Sequence, residues 1–335
     1  MSIIYGEEAG DLSYLDDKQA GIIGYGNMGR SFALNLRDSG VRVIVSELDE
    51  TRKALAESEG FTVAPAAEIV KRASIILLLV PDEIMPQIYI QQVSPYLQRG
   101  HTVIFASAYN IKFGFIEAPP FVDIGLVAPR TLGVAVRERY ERGEGFFSFV
   151  AVGQDATGEA WSAVLAIAKA IGSLSAGGIE VDFEREAELD LFIQQAIMPI
   201  FQHMMSNAAQ LLIERGYPPA AVFTELYLSG EFRDYLDHVG QIGLSAVSKL
   251  ASLTSQYGTL SRMERFNDLK FQRLMEITLD EIRSGAFAQE WSKEYQDGYH
   301  RLKKLSKAQR SRDFWEQEQQ ALDMLYPFRE VDDDY

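Results

Sequence analysis

From Gly21 to about Gly178, short aliphatic runs alternate with segments whose apolar positions recur at helical spacing. The β-rich runs fall at residues 20–23, 41–45, 74–80, 102–105, 123–127 and 148–152. Strands separated in this way by helices predict a parallel sheet. Helical period is clear over 31–39 and 51–59, and the glycines that follow, Gly40 and Gly60, suit the left-handed position that closes a helix. Past Asp182 the strand-like runs stop, and the remaining chain is helical in period, punctuated by Pro199, Pro218-Pro219, Gly240 and Gly258. The expected organisation is an α/β domain over 1–182, an all-α domain over 183–328 and a solvated acidic tail over 329–335. Residues 196–212 are apolar on most faces, so they require burial inside a bundle or against a second subunit, and a homodimer is expected.

The most informative local pattern is Gly24-Tyr25-Gly26-Asn27-Met28-Gly29, placed between the first strand and a helix running through Ala33, Leu34 and Leu36. Strand, glycine turn and helix in this order form the Rossmann dinucleotide fingerprint. The first glycine makes the tight turn, the second lets the backbone approach a pyrophosphate, and the third packs helix against strand. Free N–H groups at the helix start then face the anion. Glu47 ends the second strand, about 20 residues past the glycines, where an acid accepts the ribose hydroxyls of NAD and repels the 2′-phosphate of NADP. Arg52 lies close by and can either clamp that phosphate or pair on the helix surface with Glu47 or Glu50. NAD is favoured and NADP stays open.

Composition narrows the partners. The net charge of −16 repels phosphate backbones and anionic lipid surfaces, so neither nucleic acid nor membrane is expected. No apolar run approaches the roughly 20 residues of a bilayer span. The absence of cysteine excludes disulfides, thiolate zinc sites and cysteine nucleophiles, and fits a reducing, cytoplasmic setting. The histidines, His101, His203, His238 and His300, show no metal-ligand spacing, and His203 reads more readily as a core histidine than as a proton donor.

Further motifs extend over nearly the whole chain: Asp11-Leu12-Ser13, Ala33-Leu34-Asn35-Leu36, Pro81-Asp82-Glu83, Asn110-Ile111, Val127-Ala128-Pro129, Asp190-Leu191-Phe192, Gly216-Tyr217-Pro218-Pro219 and Tyr257-Gly258. In these the chain resembles ketol-acid reductoisomerase, which isomerises and reduces acetohydroxy acids. The length resembles the family's short class, implying a knotted helical domain and an active site shared between two subunits. The resemblance also places Pro81 and Ser107 beside the cofactor and Ser252 at a substrate carboxylate.

The departures fall among residues that carry the family's chemistry. The resemblance implies two magnesium ions held by four carboxylates, at Asp190, 194, Glu225 and 229, but this chain has Gln194 and Ser229. Ser107 stands in place of the family's histidine, and Arg130 in place of its lysine. Arginine keeps the charge but cannot release a proton near neutrality. No resident metal is expected. The expected activity is NAD(P)H-dependent reduction of an imine or ketone of a small amino-acid-derived substrate, without alkyl migration. Asp190, Glu225, Arg130 and Ser252 are the candidate catalytic residues, the two acids as orienting groups or proton donors. An authentic ketol-acid reductoisomerase with an altered metal site and a non-catalytic dinucleotide-binding paralogue are the alternatives.

Overall fold

Nine strands form one sheet: β1 (Ile4–Tyr5), β2 (Gln19–Ile23), β3 (Arg42–Ser46), β4 (Thr62–Val63), β5 (Ile75–Leu78), β6 (Thr102–Phe105), β7 (Asp123–Pro129), β8 (Ser148–Gln154) and β9 (Gly178–Glu180). Their order is β1-β9-β8-β7-β6-β5-β2-β3-β4. The computed structural model describes residues 3–266, 269–310 and 313–326, so the acidic segment 329–335 lies outside the described residues.

Along β5, Ile75 and Leu77 enter the core on one face while Ile76 and Leu78 enter the core on the other, as the period of two dictates. The first core packs under α1 (Asn27–Asp38) and the helix Ala160–Ala170, through Phe32, Leu36, Val164 and Ile167. The second packs under α2's neighbour α3, where α2 spans Glu50–Ser58 and α3 Ala66–Arg72, and under Met85 and Ile88. Strand β2 is hydrogen-bonded to β3 on one side and β5 on the other. The winding therefore reverses at β2, and such a switch point opens a crevice beyond the carboxyl ends of the strands. Gly40 and Gly60 have φ of 85° and 89°, the expected left-handed closures of α1 and α2.

Three features differ from the sequence expectation. The sheet is not wholly parallel, because β8 runs antiparallel to β7 with Ser148 opposite Pro129. The intervening helix Gly133–Glu141 is anchored to α1 by Ser31 Oγ donating to Gly133 O at 2.7 Å and Arg137 donating to Asn35 at 2.9 Å, and the chain re-enters at the edge it left. Strands β1, β4 and β9 have only two or three residues each, too few for a period to register. Finally, the chain separates into compact units Met1–Asp190 and Leu191–Tyr335, so that most of the helix following Asp182 belongs to the first unit. The helix Phe183–Phe192 begins with residues of the first unit, since Phe183 and Ala187 pack into the sheet's second core.

The second unit is helical, including Met198–Glu214, Glu231–Ile242, Leu253–Met263 and Leu269–Arg283, with a small core of Ala209, Val222, Phe223 and Ala321. Among the described residues no helix is long and apolar enough to cross a membrane.

Candidate functional site

The three loop glycines do different work. Gly24 has φ of 101°, and a Cβ there would lie 2.8 Å from the Leu79 carbonyl oxygen. Gly26 precedes the first residue of α1, and a Cβ there would meet nothing within 4 Å, which leaves the helix start open to a phosphate. At Gly29 a Cβ would fall 1.9 Å from the Gly24 carbonyl oxygen, so α1 lies on the loop with no room for a methyl group.

Gly24, Gly26, Asn27 and Met28 border a cleft of about 350 Å³, with Glu47, Arg52 and Pro81 on its other walls. The Glu47 carboxylate accepts the Tyr25 N–H at 2.7 Å on one oxygen and the Leu48 and Asp49 N–H groups at 2.7 and 3.0 Å on the other. It thus ties the phosphate loop to the turn after β3 while keeping its negative charge at the cleft. Of the two readings of Arg52, the pairing with Glu47 or Glu50 does not form. Lys53 takes Glu50 at 3.7 Å, and the Arg52 guanidinium makes no hydrogen bond or ion pair among the described residues. Ala66, Leu79, Ile84, Ile88 and Leu48 supply the apolar wall, which the sequence reading missed. Its signal was the spacing of Ile84, Ile88 and Gln92, one stripe at four-residue intervals. A cleft of apolar wall, helix N-terminus and acid fits an adenine dinucleotide.

Three sequence-named residues stand apart from this cleft. The Tyr25 ring is buried beside Phe61, and its hydroxyl donates to Glu59 at 2.6 Å, so the loop receives only its backbone N–H. Gly29 acts through packing. Ser107 Oγ accepts the Tyr109 N–H at 3.3 Å, at the start of the helix Tyr109–Lys112.

At the ends of β6 and β7 a second constellation forms. Arg130 follows the last residue of β7, and its Nη1 donates to Asp190 at 3.0 Å, its Nη2 to Glu186 at 2.9 Å and its Nε to Ala128 O at 3.1 Å. The Phe149 ring lies 4.8 Å from the guanidinium carbon. Glu186 is wholly buried, and its other oxygen accepts the Ala108 N–H at 2.9 Å. Burial raises its pKa above the usual carboxylate range, with Arg130 opposing the shift. Asp82, at the end of the β5 loop, is pushed up to about 7, mainly by burial and then by Glu83, Glu186 and Asp190. The Asn110 amide opposes this rise by donating to Asp82 Oδ1 at 3.1 Å. Glu186 carried no sequence signal of its own, and Asp82 was visible only as part of the Pro81-Asp82-Glu83 motif, because the importance of both arises from burial.

Arg130 and Asp190 are therefore together, whereas Glu225 and Ser252 belong to the second unit. Glu225 is exposed in a wide helical turn, Thr224–Leu228, with Ser229 just after it. Ser252 Oγ accepts the Ser255 N–H at 3.2 Å, the bond of a helix-capping residue. His203 pairs with Asn207 at 2.8 Å, one turn on along its own helix, and His101 is pulled down by burial. Among the described residues no group of three or more His, Asp or Glu side chains is arranged to hold a metal. Asp190, the acid that the resemblance assigns to magnesium, has a permanent cation on it already. A dication there would have to compete with a guanidinium that cannot be deprotonated.

Family models match most of the chain. Residues 14–177 match "Acetohydroxy acid isomeroreductase, NADPH-binding domain", and residues 183–326 match "Ketol-acid reductoisomerase, C-terminal domain". The ketol-acid reductoisomerase (NADP(+)) of Sulfurisphaera tokodaii is 37% identical over 300 residues, 89% of this chain and 90% of that protein. That of Methanopyrus kandleri is 39% identical over 307 residues, 91% of this chain and 93% of that protein. The solved structure of an NADH-preferring ketol-acid reductoisomerase from an uncultured archean superposes with a TM-score of 0.89 at 31% identity, covering 95% of this chain and 98% of that one.

Proposed function

The chain belongs to the ketol-acid reductoisomerase family of NAD(P)H-dependent oxidoreductases, and from that premise we propose that it reduces a carbonyl or imine of a small amino-acid-derived substrate without alkyl migration. The observation that carries this reading is the fork of Arg130 on Asp190 and Glu186, with Gln194 and Ser229 uncharged. Alkyl migration asks for a strong Lewis acid on both substrate oxygens, and a guanidinium gives only hydrogen bonds and charge. Hydride transfer asks less. The bound cofactor supplies the hydride, and the chain's residues hold the two reactants in line.

A second reading, an authentic ketol-acid reductoisomerase that uses magnesium through an altered site, is supported by the 37–39% identity to enzymes of that name along nine-tenths of the chain. Two assays separate them. Oxidation of NADH and NADPH across a panel of cyclic imines and 2-keto acids, in EDTA, is expected to show turnover. Restored growth of a valine and isoleucine auxotroph, together with loss of all turnover in EDTA, would instead establish the second reading. Tight cofactor binding with neither outcome would sink both.

Cofactor preference is set by two opposite charges at the cleft. Glu47 repels a 2′-phosphate and Arg52, uncommitted in the structure, attracts one. Arg52→Gln is expected to raise the KM for NADPH about tenfold and leave that for NADH within about twofold, since one phosphate contact is worth roughly 1.4 kcal/mol. Equal rises for both cofactors would assign Arg52 to the shared part of the dinucleotide.

We also propose a homodimer that completes the site. Leu253, Tyr257 and Leu260 form a row at helical spacing and are 81%, 71% and 56% exposed, a contiguous apolar stripe that calls for cover. Light scattering is expected to give a mass of twice 37.6 kDa, and Leu253→Lys with Tyr257→Lys is expected to give the monomer. A wild-type monomer at micromolar concentration would remove the proposal.

A further inference from the structure

A guanidinium carries five N–H groups. Arg130 commits three of them, to Ala128 O, Asp190 and Glu186, which leaves two uncommitted among the described residues, one on each terminal nitrogen. The side chain is 23% exposed, so these two are not sealed away. Its orientation is fixed on every side, by the Phe149 ring against its face and by Glu186 from beneath. Glu186 in turn joins the ends of β6 and β7, because its second oxygen accepts the Ala108 N–H. A bidentate fork held this way presents its remaining donors in a plane, the geometry that matches a carboxylate.

The surroundings restrict which carboxylate. Glu186 and Asp190 pair with Arg130, Asp82 lies close enough to both of them and to Glu83 to feel their charge, and Lys112 is turned instead to Glu184 and Glu188. Two polar atoms beside Asp82, Tyr109 Oη and Asn110 Oδ1, are buried and have no partner among the described residues. The Tyr109 and Asn110 residues are only 7% and 1% exposed. An anion alone would meet a surplus of negative charge. A molecule carrying both signs would satisfy the two ends at once.

We propose that Glu186 is a positioning residue, which holds Arg130 so that its two uncommitted N–H groups take the carboxylate of a zwitterionic substrate whose cationic nitrogen meets the surrounding acids. A protonated imine of an amino acid has this charge pattern. The inference rests on the reductase reading of the sheet edge, but it is tested by binding, so it can fail while turnover stands, or stand while turnover fails.

The full-length protein loaded with NADH is titrated calorimetrically with three rings of one shape: L-proline, cyclopentanecarboxylate and pyrrolidine. L-proline is expected to bind at least about tenfold more tightly than either of the others. Glu186→Gln is expected to shrink that gap to about twofold with NADH affinity unchanged, and Glu186→Asp, which keeps the charge, to recover part of it. If Glu186→Gln does not fold, Arg130→Lys carries the same comparison, because an ammonium cannot fork. Cyclopentanecarboxylate or pyrrolidine equalling L-proline, no detectable binding of any of the three, or full discrimination in a folded Glu186→Gln protein would each overturn the proposal.

Discussion

Gly29→Ala is expected to lower folding stability by about 3 kcal/mol and to weaken NADH binding about a hundredfold, whereas Gly26→Ala loses the binding and keeps the fold. The two differ in what a methyl group would meet. At Gly29 it would sit 1.9 Å from the Gly24 carbonyl oxygen, a backbone atom that cannot swing aside, so α1 must lift from β2. Lifting it disturbs Phe32, Ala33 and Leu36, all wholly buried against the sheet. At Gly26 nothing lies within 4 Å, so the methyl group occupies only the space a pyrophosphate would use. Thermal unfolding and NADH titration of both variants check this. Equal stability losses, or a Gly29→Ala protein as stable as wild type, would refute the packing argument.

What the sequence made legible was local. The glycine loop, Glu47 and the closures at Gly40 and Gly60 each depend on a few consecutive residues, and the structure places them as their spacing requires. The Arg130 fork was not legible, because Arg130 and Glu186 are 56 residues apart and Glu186 reads as one more acid on a charged helix. Only the packing of Phe183 and Ala187 into the sheet core brings that helix under the β7 end. The side chain of Tyr25 was not legible from its place in the loop, because a buried ring whose hydroxyl finds Glu59 is settled by long-range packing. The departures at Gln194 and Ser229 are visible in the sequence, and the fork places a cation on Asp190, one of the two acids that remain with Glu225.

The strongest pH dependence should come from Asp82. Its folded value, about 7, lies above the ordinary 3.8, so between these values the folded protein binds more protons than the unfolded chain. Stability that is fully present below about pH 4 is then lost as pH rises through about 7. Glu186, raised in the same direction by burial, adds to the fall. Asp82→Asn copies the protonated carboxyl and keeps an oxygen for the Asn110 amide, so it removes Asp82's share of the loss. The variant should match wild type at pH 4 and exceed it at pH 8 by up to about 4 kcal/mol, as the shift between the two values implies. Urea unfolding of both proteins from pH 4 to pH 8 measures the difference directly. A gap that stays constant with pH, or that widens toward acid, would mean that Asp82 is ionised throughout. The acids at the sheet edge would then be balanced by something other than a retained proton.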